Sequence, residues 1–294
     1  MTLIDGKKIS DLIKSEIAKE VQEIIAIDGK IPHLAAVLVG DDPASQTYVG
    51  AKERSCKEVG FISSLYKYNA SISEVELLKA IDFLNKDTEI DGFIVQLPLP
   101  KHISKQKIIE AINPAKDVDG FHPVNMGNMV LGLPGFLPAT PYGIMQLLER
   151  YQIETEGKNC VILGRSNIVG SPMSILLAQN TNPGNCTVTL CHSKTKNIAE
   201  ITSQADILIA AIGKPEFITA DMVKEGAVVI DVGMHRVVDA ATKTGFRLKG
   251  DVKFDEVSKK CSFITPVPGG VGPMTIVGLL MNTLKAAKNK IEIY

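Results

Sequence analysis

The sequence predicts an α/β protein of two lobes built on parallel sheets, and three observations lead there. Short apolar runs alternate with stretches of helical spacing, the pattern of strand–helix–strand units with right-handed crossovers. The chain has 294 residues, more than one small core accommodates. A Gly-, Pro- and Asn-rich stretch from Asn113 to Pro141 separates two such alternating series.

In the first series, Ile9, Leu12, Ile13, Ile17, Val21, Ile24 and Ile25 fall at helical spacing over 8–25. Leu34 to Val39 is a continuous apolar run that suits a buried parallel strand. A helix from about Ser45 to Val59 is closed by Gly60. Phe61–Tyr68 is a second strand, Glu74–Leu84 a helix, and Gly92–Gln96 a third strand stopped by Pro98 and Pro100. The stretch 113–141 is read as a functional loop, followed by a connecting helix at about 140–151. In the second series, strands are expected at 160–163, 187–191, 206–210 and 227–231, with helices at 172–179 and 197–204. The last helix, about 273–287, has Pro273 in its first turn and is expected to pack on the first lobe.

Composition narrows the partners. The formal net charge is -1, which gives no basic footprint for nucleic acid or an anionic membrane. No apolar run approaches the roughly 20 residues that span a bilayer. The start of the chain moves straight into a charged helical pattern, without a signal-peptide profile. Cys56, Cys160, Cys186, Cys191 and Cys261 are odd in number and form no C-x-x-C pair, so they are expected as buried, reduced thiols in a cytoplasmic protein. The scattered histidines offer no metal-binding cluster, and no metal is expected.

The strand at 160–163 runs into Gly164-Arg165-Ser166-Asn167-Ile168-Val169-Gly170 and then a helix. A pyrophosphate needs this context: free N–H groups at the positive end of a helix dipole. The motif departs from G-x-G-x-x-G, with Ser166 at the second glycine and Val169 at the third. Where an NAD-binding strand ends in an acid for the ribose hydroxyl, this one ends in Cys191-His192-Ser193-Lys194. The missing carboxylate, with Ser193 and Lys194 at the strand end and Arg165 in the first turn able to face the same region, favours a 2′-phosphate and hence NADP. A further strand ends in Ala210-Ala211-Ile212-Gly213, small enough for a cofactor to approach the backbone.

On the helix from Ser45, a projection at about 100° per residue puts Glu53, Arg54, Lys57 and Glu58 on one side. Ser45, Tyr48, Lys52, Ser55, Cys56 and Val59 fall on the other. Lys52 thus faces away from the charged side, one turn after Tyr48. Such a lysine is either a snorkelling side chain or a cleft lysine whose basicity is tuned by desolvation. Gln96 at a strand end, the acidic turn Asp117-Val118-Asp119-Gly120 and the side-chain-poor loop 266–275 are the other candidate site elements.

Six collinear blocks carry a resemblance over nearly the whole chain: P-A-S-Q-T-Y-V-G-A-K at 43–52, D-G-F-I-V-Q-L-P-L-P at 91–100, K-D-V-D-G-F-H-P at 116–123, G-R-S-N-I-V-G-S-P at 164–172, C-H-S-K-T at 191–195 and T-P-V-P-G-G-V-G-P-M-T at 265–275. The chain resembles the bifunctional methylenetetrahydrofolate dehydrogenase/methenyltetrahydrofolate cyclohydrolase family. That resemblance implies an N-terminal α/β catalytic, folate-binding domain, 1–139 joined by the C-terminal helix at about 273–294. It implies a Rossmann-like NADP-binding domain at 140–272, with a cleft between the two. It implies that Lys52 is essential to the cyclohydrolase step, Gln96 orients it, Tyr48 stacks on the folate and Asp119 binds the pterin edge. Ser45, Pro268, Gly269 and Thr275 would border the same substrate. Gly164, Arg165, Ser166, Ser193 and Gly213 would contact NADP. A homodimer is also implied.

Two other readings compete. A two-lobe NADP dehydrogenase acting on a shikimate-like hydroxy acid would need a base for a hydroxyl proton and has no use for Asp119. A non-catalytic dinucleotide-sensing module would not need Lys52 and Gln96, and both are present.

Overall fold

The structure, a computed structural model, describes residues 1–27, 29–239, 242 and 245–291, without the side chains of 289–291. In chain order the elements are β1 (Thr2–Leu3), α1 (Gly6–Ala26), β2 (His33–Val39), α2 (Pro43–Val59), β3 (Ile62–Tyr68), α3 (Glu74–Lys86), β4 (Gly92–Val95), α4 (Lys105–Ala111), α5 (Pro123–Leu131) and α6 (Ala139–Arg150). They continue with β5 (Asn159–Leu163), α7 (Gly170–Ala178), β6 (Thr187–Cys191), α8 (Ile198–Thr202), β7 (Ile207–Ala210), β8 (Val228–Asp231), β9 (His235–Val238), β10 (Phe246–Lys249), α9 (Phe254–Val257), β11 (Phe263–Ile264) and α10 (Val271–Ile291).

The chain divides into two compact units. One comprises Asp11–Ala139 with Ile276–Tyr294, the other Met1–Ser10 with Thr140–Thr275. The first holds a parallel sheet in the order β3-β2-β4. Central β2 is buried along nearly its whole length, which is why it reads as an unbroken apolar run. Edge strand β3 carries Ser63, Ser64 and Lys67 among its apolar residues and is only partly covered. Val37, Leu77, Ile81, Leu84 and Phe93 form the centre of this unit's core. Helix α3 starts with a complete capping box, Ser73 and Glu76 each bonding the other's backbone N–H.

The second unit holds a six-stranded sheet in the order β1-β11-β8-β7-β5-β6, every pair parallel. After β5 the chain goes to one side for β6 and to the other for β7, so the strand order reverses at β5. Open α/β sheets bind ligands at the carboxyl ends of the strands at such a reversal. Val161, Leu163, Leu208, Val229 and Ile264 are fully buried in its core.

The structure differs from the sequence reading at three places. The stretch 113–141 contains helix α5, begun by the His122 side chain accepting the Val124 N–H and ended by left-handed Gly132. These are ordinary helix signals, masked by the density of Pro and Gly around them. Strands β9 and β10 pair antiparallel, Phe246 to Lys249 running against Val238 to His235, where the sequence suggested no strands. The first ten residues, expected with the first lobe, join the second unit instead, because Thr2 and Ile4 donate to Ser262 and Ile264 and place β1 at the edge of its sheet.

Candidate active site

The site in the first unit starts from the N-terminus of α2. Asp42 caps it, accepting the Ser45 N–H at 2.7 Å and the Ser45 hydroxyl at 2.8 Å. Pro43 follows in the first turn, where no N–H is needed. Ser45, expected beside the substrate, is thus buried as part of the cap. Sequence reasoning passed over Asp42, although Asp-Pro before a helical pattern is a start signal. Ser45, Val49, Ser55, Cys56 and Val59 form the buried face of α2. Tyr48 is 40% exposed and Lys52 half-buried, so the helix presents both at the border of that face.

Lys52 Nζ donates to Gln96 Oε1 at 3.1 Å. Gln96 sits just beyond β4, where its N–H donates to Val37 and its side-chain amide donates to the Leu97 carbonyl at 2.8 Å. Those bonds turn the amide oxygen toward the lysine. Asp119 comes from the neighbouring turn. A parallel bridge between Phe93 and Asp117 lays that turn along β4, and Gly92 is small because Val118 packs where its side chain would be. Asn282 on α10 clamps the turn by donating to the carbonyls of Val118 and Leu137. The Asp117 carboxylate accepts the His122 N–H and the Asn125 amide inside the turn.

Electrostatics set the character of this cluster. Burial lowers the Lys52 pKa below the ordinary lysine range, with the Asp119 charge and then Cys56 opposing. Burial raises the Asp119 carboxyl, and Lys52 opposes that shift. Cys56, one turn after Lys52, is pushed up to about 12, chiefly by burial, so it stays a thiol. The cluster therefore holds an amine whose proton is easier to remove than a free lysine's, fixed by an amide and faced by a carboxyl. It can bind a polar ring edge and shuttle a proton.

In the second unit, β5 enters the glycine turn and α7. Gly164 has φ +113°, and a side chain on it would strike the Ala211 carbonyl at 2.1 Å. The glycine that packs the helix against the strand is Gly170, one position later than the G-x-G-x-x-G pattern places it. A Cβ there would meet the Gly164 carbonyl at 1.9 Å. Ser166 Oγ accepts the Val169 N–H at 3.1 Å, which ties the turn and leaves its O–H to donate elsewhere. Helix α7 begins without a side-chain cap. Arg165, Ser166 and Ser193 are exposed. The turn after β6 is held by the His192 N–H on Thr195 Oγ1 and the Lys194 N–H on His192 Nδ1, which sets Ser193 at its tip. Gly213, beyond β7, has φ +73° and open space where a side chain would point.

The loop 265–275 also belongs to this unit. Its anchors are Thr265, whose N–H donates to Val229, and Gly269, whose carbonyl accepts the Lys7 N–H. Gly270 is required there because a side chain would meet the Pro266 carbonyl at 2.5 Å. Pro268 is exposed, Gly269 is half-buried, and Thr275 shares a 3.0 Å hydrogen bond with Thr140. Of the expected site residues, Tyr48, Lys52, Gln96 and Asp119 gather in one unit, and the nucleotide residues and the 268–275 loop lie in the other. Sequence reading missed the buried carboxylates Asp231 and Asp251 at strand ends of the second unit. All five cysteines are free and buried. Among the described residues no helix is long and apolar enough to cross a membrane.

Two α/β units, one with a dinucleotide-type strand–turn–helix and one with a lysine–amide–carboxyl cluster, define a two-domain nucleotide-dependent enzyme. The chain belongs to the tetrahydrofolate dehydrogenase/cyclohydrolase family. Residues 4–119 match the model of its catalytic domain and residues 138–291 the model of its NAD(P)-binding domain. The bifunctional protein FolD of Cytophaga hutchinsonii is 67% identical, over 99% of this chain and all of that one. FolD of Bacteroides fragilis is 63% identical over 99% of each chain. Among solved structures, FolD methylenetetrahydrofolate dehydrogenase/cyclohydrolase from Campylobacter jejuni superposes with a TM-score of 0.93, at 52% identity and 99% coverage of both chains. The Trypanosoma brucei enzyme, solved with NADP and an inhibitor, gives 0.93 at 37% identity, covering 99% of this chain and 98% of that one.

Proposed function

We propose that Lys52, Gln96, Asp119 and Tyr48 carry the folate chemistry of a bifunctional enzyme. The chain oxidises 5,10-methylenetetrahydrofolate to 5,10-methenyltetrahydrofolate with NADP and hydrolyses that product to 10-formyltetrahydrofolate. The observation that carries the residue assignment is the 3.1 Å bond between a half-buried Lys52 and Gln96.

The second unit's residues fit NADP. The turn 164–170 brings an uncapped helix start to the carboxyl end of β5, Arg165 and Ser193 offer cationic and hydroxyl donors, and β6 ends without a carboxylate. When bound, NADP supplies the hydride acceptor. Loss of hydride from the CH₂ between two nitrogens leaves a cation stabilised by both, so no hydroxyl proton must leave. The chain's part in that step is alignment.

Hydrolysis asks more of the side chains. As the neutral amine, Lys52 takes a proton from the water that attacks the methenyl carbon. It returns that proton to N5 as the carbon–N5 bond breaks, and the carbon-bound hydroxyl releases its own proton to solvent to leave the formyl carbonyl. Gln96 fixes the amine, Asp119 accepts a hydrogen bond from the pterin edge, and Tyr48 offers its exposed ring for stacking. The enzyme acts in the cytoplasm as a homodimer, which sedimentation of the purified chain tests.

The test follows methenyl-folate absorbance during turnover with NADP. Wild type should form and consume this species. Lys52→Met should form it and fail to consume it, retaining part of the dehydrogenase rate. Equal retention of both activities would remove Lys52 from the hydrolytic step.

A further inference from the structure

The nucleotide-binding unit contains a buried polar network that neither of its expected contact sets includes. Asp251 lies two residues beyond β10 and is fully buried. Its Oδ2 accepts two consecutive backbone N–H groups, Ile212 at 2.8 Å and Gly213 at 2.9 Å. Its Oδ1 pairs with His235 Nε2 at 2.7 Å. Its own N–H donates to Asp231 Oδ1 at 2.9 Å. Asp231 in turn accepts the N–H groups of Gly233 and Val252, and donates its own N–H to Thr265 Oγ1. Side chains at Gly233 or Gly250 would run into these carboxylates, at 2.5 Å and 1.8 Å.

This arrangement has two sides. One side of the turn after β7 is held by the Asp251 carboxylate. The other, at Gly213, is open. The Ala211 N–H donates to Leu163 on β5, so the turn is tied both to the neighbouring strand and to Asp251. A single carboxylate oxygen gathering two successive N–H groups leaves those peptide planes little freedom, and a buried acceptor is costly to remove. The turn so held stands at the carboxyl end of the strand next to β5, where the strand order reverses.

We propose that Asp251 is a positioning residue for the cofactor, setting the Ile212–Gly213 backbone against which NADP lies, with His235 fixing the carboxylate's orientation. The proposal rests on the placement of NADP at the carboxyl ends of β5 and β7. Removing the carboxylate lets the turn relax, which weakens cofactor binding without altering the Lys52 cluster in the other unit. Asparagine keeps an oxygen for the two N–H groups, and its amide can donate to a neutral His235.

The experiment measures NADPH binding by fluorescence and dehydrogenase kinetics on the full chain, for wild type, Asp251→Ala, Asp251→Asn and His235→Ala. Asp251→Ala should raise the Kd and the KM for NADP about tenfold or more, while the KM for the folate stays near wild type. Asp251→Asn should restore most of the affinity, and His235→Ala should raise the NADP KM by a few-fold. A merely structural lesion lowers the active fraction, which reduces kcat and leaves both KM values alone. That result, or equal NADP affinity in wild type and His235→Ala should Asp251→Ala fail to fold, overturns the proposal. Failure of wild type itself to bind NADPH would instead overturn the placement of the cofactor.

Discussion

Lys52 shows how one residue's chemistry comes from its surroundings. Helical projection put it off the charged face of α2, which allowed either a snorkelling or a cleft lysine. In the structure its partner is Gln96, 44 residues away, which accepts from it at 3.1 Å. Burial makes the amine easier to deprotonate, and the nearby Asp119 limits how far that shift goes. Replacing Gln96 by Glu would put a second carboxylate against the amine and raise its pKa. The alkaline-rising limb of the hydrolysis rate should then move up by about one pH unit, with an approximately tenfold loss below it. A pH profile of kcat for Gln96→Glu checks this, and an unmoved limb would exclude Lys52 as the titrating base.

Among elements, the strand–turn–helix of β5 and α7 was legible as a type but not in its glycine spacing. The G-x-G-x-x-G spacing would put the third glycine at position 169, where this chain has Val169. In the structure Gly170 does that work, because the Gly164 carbonyl lies 1.9 Å from where a side chain on Gly170 would begin. Val169 instead turns inward and is buried. Gly170→Ala must therefore push α7 away from β5. The expected outcome is a KM for NADP raised about tenfold or more, with hydrolysis of added methenyl-folate retained. Steady-state kinetics of the two half-reactions measure it. Start and stop signals were similarly mixed. Gly60 was legible as the end of α2, and its φ of +83° is the left-handed conformation that glycine permits. Asp42 and Pro43 at its start, and His122-Pro123 at the start of α5, were present in the sequence and passed over.

At the scale of the molecule, buried carboxyls make stability depend on pH in an unusual direction. The Asp117 carboxyl is pushed from 3.8 to about 6, first by burial and then by the Asp119 charge, against the hydrogen bonds it accepts. A raised folded-state pKa means that the folded chain holds a proton which the unfolded chain releases between those values. The penalty is complete above pH about 6 and fades as pH falls toward 3.8, so this group's contribution grows more favourable on acidification. Asp117→Asn removes that term. Relative to the variant, wild type should gain up to about 3 kcal/mol between pH 7 and pH 4. Urea unfolding at the two pH values tests this, and parallel changes in both proteins would contradict it. Asp231, also raised to about 6 by burial, adds to the same trend.

The sequence alone determined the alternation of strands and helices, a lysine off the charged side of its helix, the strand–turn–helix and the missing acid after β6, because each is a pattern within about twenty residues. Tertiary structure decided what those parts face. It brought Gln96 and the Asp119 turn to Lys52 through the β2–β4 pairing and the Phe93–Asp117 bridge. It gave residues 1–10 to the second unit through the β1–β11 pairing. It placed Asp251 under the Ile212–Gly213 turn from 39 residues away. Periodicity and capping are local in the chain, whereas a buried acceptor's partner is chosen by packing between segments that no local pattern relates.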